Sequence, residues 1–530
     1  MHRRPLTTLL AVGTLAVLGG GVARVAGHDD AKPAAHQATS RPPTTASTSA
    51  NPTSAAPATS AAPATSTPAT SAAPAVAAWQ RTDLHPVTQP AAVGDDVALY
   101  VASGGQLNVI VLDGATGKSL WSDAASSSGN APGEAPYLTV VGDNVIFLRS
   151  AGGQDAKIVA ADAATGKVVW ASATGLFSTF PVLCPGSKDV LCVSGVLQSG
   201  ARPGTLLRFS TKTGAALPGA LLSVDEGART VGNGLYDTGE RDPDTILATD
   251  GPTVRWKEDL AKIFIKPGAS TDYGWNFDRI ASAGLFIGSV GYSSASTRTS
   301  THYSYDTSIS ETAGFRIKDG SVAWRDEGSQ YVCSYLPCPG ATQHAFDAPI
   351  GAGAPEATVA LRLREVGTLS GVIGSDADST ISANAHATLE GFDPATGKTK
   401  WRFDGGRNRS LLELEALPPQ TGLNTIVLTD KAGRPVQLNL NDGTTSPVAA
   451  GTVAWCRKTI KYTQNVGYPI QDGKTTHNYL GQASVFACDE HAKRITTPGT
   501  VPSFIGDIGA AVTGRVVWAQ ANAVFAAPPA

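Results

Sequence analysis

ADAATGKVVW, residues 161–170, reads as the end of one strand, a tight turn, and a second strand closed by a tryptophan. Asp162 can bond back onto backbone N–H groups of the turn, and Gly166 supplies the positive φ that a reversal this short needs. Trp170 then offers a large flat ring to a neighbour. The phrase returns as LDGATGKSLW at 112–121, with Asp113, Gly117 and Trp121, and as FDPATGKTKW at 392–401, with Asp393, Gly397 and Trp401. IKDGSVAW, ending at Trp324, is a shorter copy. RFSTKTGAAL to Leu217, ATDGPTVRW to Trp256 and LNLNDGTTSPV near Pro447 are weaker ones. Recurrence at this scale marks a repeat architecture.

Upstream of the turn sits another hairpin, VVGDNVIFLRS at Val140–Ser150, matched by AVGDDVALYVA at Ala92–Ala102. Two hairpins per repeat make a four-stranded antiparallel blade, and an array of blades makes an all-β propeller. The spacing between repeat ends is 49, 47, 39, 68 and 77 residues from Trp121 to Trp401. The two long intervals predict insertions rather than extra blades. ASVFACDEHAKRIT at Ala483–Thr496 is a further partial copy. Eight blades fit this spacing best, with seven the alternative. No 10–15-residue amphipathic stretch separates the strands, so an α/β alternation is excluded. The C-terminal VTGRVVWAQANAVFAAP has early-blade strands but no tryptophan strand after them, while VAAWQRTDL around Trp79 is a tryptophan strand without a blade. Joining the N- and C-terminal strands would close the array and remove its open sheet edges.

The pattern AxDxxTGxxxW, strongest at Asp162, Gly166 and Trp170, resembles the tryptophan-docking repeat of the quinoprotein-like, or PQQ-like, β-propeller family. The resemblance runs from Trp79 to about Ala527 and implies tryptophans packed between neighbouring blades. Its enzymatic members imply pyrroloquinoline quinone held against two adjacent cysteines, with calcium and a catalytic aspartate. This chain has no adjacent cysteines. Asp376 and Asp378, in GSDADSTISAN, read as a solvated loop rather than an ion site. A quinone-dependent dehydrogenase is therefore the least favoured reading, and no cofactor is expected. Non-enzymatic members imply a rigid platform whose loops dock envelope proteins. The missing lipobox and the long stalk make an actinobacterial-type exported member the better match.

The ends of the chain support export. Residues 1–30 have a basic start at His2, Arg3 and Arg4, and an 18-residue uncharged run from Leu6 to Ala23. That length lies between a secretory core and a spanning helix, so a cleaved signal peptide and an N-terminal membrane anchor both remain open. Residues 31–78 form a linker in which Ala, Pro, Thr and Ser supply 42 of 48 positions, too little apolar surface to offset the entropy of ordering. The folded part is 79–530. Net charge is −3, with charged residues at 16% and no basic cluster, which excludes a nucleic-acid partner.

Six cysteines allow fifteen pairings. Proximity in an exported chain favours Cys184 with Cys192, Cys333 with Cys338 and Cys456 with Cys488. Zinc at CSYLPC would need two more ligands, and only His344 follows closely. The other histidines of the folded part, His85, His302, His386, His477 and His491, have no partner visible in sequence. HExxH and GxSxG are both absent, so the chain reads as a non-enzyme. Partner anchors are expected among loop aromatics: Tyr273, Trp275 and Phe277 in STDYGWNFD, and Tyr331 and Tyr335 beside the short cysteine pair. The alternative is a carbohydrate or small-ligand site at the same aromatics, with Asp272, Asn276 and Asp278 as polar partners. Membrane contact is expected only through the N-terminal segment.

Overall fold

Strands Asp96–Ser103 and Gln106–Asp113 show why these repeats fold as they do. Both are buried over most of their length, whereas the following strand, Ser119–Ala124, is exposed or half-buried throughout. A middle strand covered by sheet on both faces reads as a continuous apolar run, and an outer strand can carry polar residues. The computed structural model describes residues 78–530 except 105, 129–136, 153–154, 178, 185–187, 198–204, 218–228, 233–234, 238–244, 251–252, 293–295, 299–301, 334–335, 337, 340–357, 373–379, 408–410, 412–417, 450, 466–475, 497–499 and 521. All of these belong to one compact unit; residues 30–76 lie outside the described residues. So do the expected leader and nearly all of the expected linker.

The described residues form an all-β fold of antiparallel sheets, six of them four-stranded, one six-stranded and one eight-stranded. The sheets do not count blades, because the eight-stranded one joins two consecutive repeats through Gly175–Phe177. Trp79–Arg81 pairs with Ala523–Ala527, placing Trp79 opposite Ala526, in a sheet completed by Arg515–Gln520 and Ala510–Val512. Strands from the two ends thus share one sheet, a propeller-like closure.

Neighbouring sheets pack through successive apolar clusters. Leu99 and Leu112 meet Val517 and Val524 at the closure, with Trp79 beside them. Tyr100, Phe147, Phe177 and Phe209 join the next three repeats. Phe264, Phe286 and Phe315 lie in another cluster with Trp256, and Leu361, Leu389, Leu428 and Leu438 in the one after. Trp455 and Trp518, edge to face with centroids 5.7 Å apart, link the last strands back to the closing sheet.

The two long repeat intervals do carry insertions. Ser296–Arg298 and His302–Asp306 interrupt one repeat between its second and third strands, Leu285–Tyr292 and Glu311–Arg316. Thr368–Val372 and Thr380–Ile381 interrupt the next repeat between Ala360–Val366 and His386–Phe392. The two inserts pair with each other, His302 opposite Val372, to make a four-stranded accessory sheet. A third addition is the long hairpin Ala454–Asn465 with Thr476–Cys488. Its base carries the Cys456–Cys488 disulfide.

Candidate functional site

The repeat residues build a ladder between sheets. In two turns the aspartate does the same work: Asp113 Oδ1 accepts from the Thr116 N–H and hydroxyl, both at 2.7 Å, and Asp162 does so from Thr165. Those bonds hold both carboxyls below the usual range. Asp393 caps its turn through the Ala395 N–H. The following glycine carries the next rung. Trp79 lies over Gly117, Trp121 over Gly166, Trp170 over Gly214, Trp256 over Gly320, Trp324 over Gly397 and Trp401 over Gly443. Each ring therefore docks on the turn of the next repeat, not of its own.

Five of these rings also donate their indole N–H to a turn carbonyl: Trp79 to Gly114, Trp121 to Ala163, Trp170 to Thr211, Trp256 to Ile317 and Trp324 to Pro394, at 2.6–3.1 Å. Trp401 Nε1 is buried without a partner among the described residues. The repeat near Pro447 brings no tryptophan to the next, and neither does the one ending at Leu217. The Cys184–Cys192 disulfide, clustered with Leu247 of the following repeat, occupies that interface. The other pair is Cys333–Cys338, so all six cysteines are oxidised.

Of the aromatics expected to anchor a partner, Trp275, Phe277 and Tyr331 lie on strands rather than in a loop. STDYGWNFD belongs to the strand Ala269–Ile280, whose pairing slips between Ser270 and Trp275. Phe277 is 3% exposed, stacks with Trp275 and meets the edge of Phe315. Tyr331 is fully buried; its hydroxyl donates to Asp278 Oδ2 at 2.8 Å, and its carbonyl accepts from Asn276 Nδ2. Phe277 and Tyr331 are core side chains and cannot present themselves to a partner; Asn276 and Asp278 are occupied by Tyr331. Trp275 is half-buried. The Tyr273 side chain and the whole of Tyr335 lie outside the described residues, as do Asp376, Asp378 and His344.

Sequence reading missed three buried acids. Glu390, 0% exposed, accepts from Arg362 Nε at 2.7 Å, Arg364 Nε at 2.9 Å and Arg402 Nε at 2.8 Å. Arg364 also grips Asp326 of the preceding repeat through Nη2 at 2.6 Å, which makes the network a polar seam between two repeats. Burial pushes the Glu390 carboxyl up, but the bonds from Arg364 and Arg362 outweigh it and hold the group at about 2. Glu311 is also fully buried, accepting from the Tyr292 hydroxyl and the Ile265 N–H; burial leaves its carboxyl raised despite these bonds. Glu365, 4% exposed, has an Oε1 with no partner among the described residues. The only sequence signal was a charge inside an apolar run, as in LRLREV.

Tied into a seam between sheets, Glu390 is structural; general acid–base chemistry needs a group that can reach a substrate. His386 Nε2 does lie 3.2 Å from Asp404 Oδ1 at the surface, with Lys431 Nζ 3.6 Å from the other oxygen, but no described hydrogen bond adds a nucleophile. Among the described residues no group of three or more His, Cys, Asp or Glu could hold a metal, and no helix is long and apolar enough to cross a membrane.

Residues 69–232, under a third of the chain, match a PQQ-repeat family model described as outer membrane protein assembly factor BamB. No curated protein matches the chain. Among solved structures, BamB from Moraxella catarrhalis is 14% identical, covering 85% of this chain and 98% of that one, with a TM-score of 0.29. A europium-containing methanol dehydrogenase is 12% identical over 73% and 84%, with a TM-score of 0.35. Sqt1 from Saccharomyces cerevisiae is 8% identical over 86% and 99%, also at 0.35. Superpositions this loose say nothing of activity. The family match thus places PQQ-type repeats at residues 69–232, and the docking ladder continues beyond them to Gly443.

Proposed function

We propose that this protein is a non-enzymatic, extracytoplasmic β-propeller of eight blades that serves as a protein-interaction scaffold in the cell envelope. Residues 1–30 export it and either leave it or anchor it, and residues 31–78 are its spacer. The observation that carries this reading is the accessory sheet. Two successive repeats each extend an insert, and the inserts spend their backbone hydrogen bonds on each other, adding sheet that no blade requires. Its outer strand Ser296–Arg298 pairs on one side only among the described residues, leaving an edge of the kind that takes up an extended segment of a partner. The occupied carboxylate of Glu390 and the oxidised cysteines support binding over turnover.

Photo-crosslinking in the native envelope tests this. A probe at Thr297, with a control probe at Thr53 in the spacer, should give a discrete protein adduct unique to Thr297. Glycan adducts, or none beyond the control, would replace the scaffold reading with the carbohydrate or small-ligand one.

A further inference from the structure

Glu365 is a carboxylic acid with nothing described to neutralise it. It belongs to the strand Ala360–Val366, where Leu361 and Leu363 share its face. Its register partner is Ala387, flanked on that face by Leu389, and Leu363 lies opposite Gln330 on the other side. Leu361, Leu363, Ala387 and Leu389 are all buried in one apolar cluster. The charged groups of these strands, Arg362, Arg364, Glu390 and His386, fall on the opposite face by the same alternation. On the neighbouring strand, Arg402 and Asp404 pair with residues of that opposite face. The short turn Thr307–Ile309 also packs against Ala360–Val366, and its one acid, Asp306, is occupied as its cap, accepting from the Ser308 N–H and hydroxyl. Burial alone pushes the Glu365 carboxyl well up, with no charged group contributing.

The position matters because both inserts root beside its strand. Three residues after Glu365 the accessory strand Thr368–Val372 begins, and its neck is tied by Thr368 N–H to Ser382 Oγ at 2.9 Å and Ser382 N–H to Thr368 O at 3.0 Å. The turn Thr307–Ile309 directly follows the other insert's strand, His302–Asp306. We propose that Glu365 is a proton-operated latch at the root of the accessory sheet, neutral and buried while the two inserts are seated, ionised and hydrated when that root opens.

The direction follows from linkage. In the open root the carboxyl is hydrated and has its ordinary value of 4.5; in the seated root it lies above this. Below pH 4.5 both states are protonated and seating is fully favoured. As pH rises from there toward the seated-state value, the open state gains by up to about tenfold per unit. Acid seats the inserts, and rising pH loosens them.

Hydrogen exchange on the full-length protein from pH 5 to 9 tests this, with rates normalised to intrinsic exchange. Protection of Thr368–Val372 and His302–Asp306 in the wild type should fall with pH by up to about tenfold per unit, while Asp96–Ser103 holds steady. Glu365→Gln and Glu365→Met should both keep the low-pH protection throughout. Identical profiles in wild type and variants would overturn the latch. So would a fall shared by Asp96–Ser103, which would make the ionisation a global destabilisation. Should neither variant fold, a flat wild-type profile in the inserts would refute it and a local fall would sustain it.

Discussion

Gly142 and Gly166 stand in one sheet, each in a turn of left-handed backbone, with φ of 58° and 70°. Alanine at either position meets the same conformational cost, about 1–2 kcal/mol. Their surroundings differ. A Cβ on Gly142 would meet nothing within 4 Å, whereas on Gly166 it would lie 2.7 Å from Trp121 Cγ. Gly166→Ala must therefore displace the ring, losing the 2.6 Å bond from Trp121 Nε1 to the Ala163 carbonyl. That bond contributes about 1 kcal/mol and the overpacking costs a further 1–3 kcal/mol or so. Gly166→Ala should thus destabilise the protein by about 2–4 kcal/mol more than Gly142→Ala. Denaturant unfolding of both variants at equal m-value measures the difference. In a Trp121→Ala background the two glycine substitutions should become nearly equal, since the ring is gone. Equal costs in the wild-type background, or an unchanged gap without Trp121, would refute docking between repeats as the source of cohesion.

Deleting Val76–Leu84 removes the strand that completes the closing sheet, so the folded unit should lose several degrees in Tm; an unchanged Tm would show that the closure contributes nothing. Glu390→Gln should cost about 3–5 kcal/mol by leaving three guanidinium groups short of their acceptor. Because the Glu390 carboxyl is held at about 2 in the fold against 4.5 unfolded, its contribution is present above pH 4.5 and lost as pH falls toward 2. Acid titration of stability in wild type and Glu390→Gln should therefore converge over that window, and parallel curves would count against the seam. Opening the Cys456–Cys488 loop, 32 residues in separation, should destabilise more than opening Cys184–Cys192, with 8. Loop entropy sets these at about 3.7 and about 2.5 kcal/mol. Paired Cys→Ser variants compared by calorimetry check the order, which reverses if the shorter bridge matters chiefly by filling the interface beside Leu247.

What was legible in the sequence was whatever a repeat writes locally. Asp162, Thr165 and Gly166 sit within five residues and solve one turn among themselves, so the phrase survives copying and can be read. The partner of each tryptophan is about one repeat away, yet it too was legible in kind, because the docking surface is another copy of that turn. The terminal closure followed from the same periodicity, as an orphan tryptophan strand at one end and a blade lacking one at the other. The aromatics near Trp275 misled for a physical reason. Pairing slips between Ser270 and Trp275, so the alternation that marks a strand is broken there, and the segment looks like a decorated loop. The Glu390 seam had no local signal beyond charges inside apolar runs, since its acceptor and donors lie on three different strands and meet only through register.

The accessory sheet was half legible, its length visible as two stretched intervals and its pairing invisible. Its strands are Ser- and Thr-rich and lack a strong apolar face, so nothing in either insert names the other. Their meeting depends on both leaving at the same point of the repeat, between second and third strands, in successive repeats. A repeat scaffold makes such a meeting cheap to evolve: docking through the tryptophan ladder fixes the distance between equivalent connections, so two inserts at equivalent places emerge side by side. Binding by the inserts, as proposed, would leave the ladder untouched. A partner-binding role for the inserts and a purely structural role for the turns are thus separable by mutation: substitutions at Thr297 should change binding without stability, and those at Gly166 stability first.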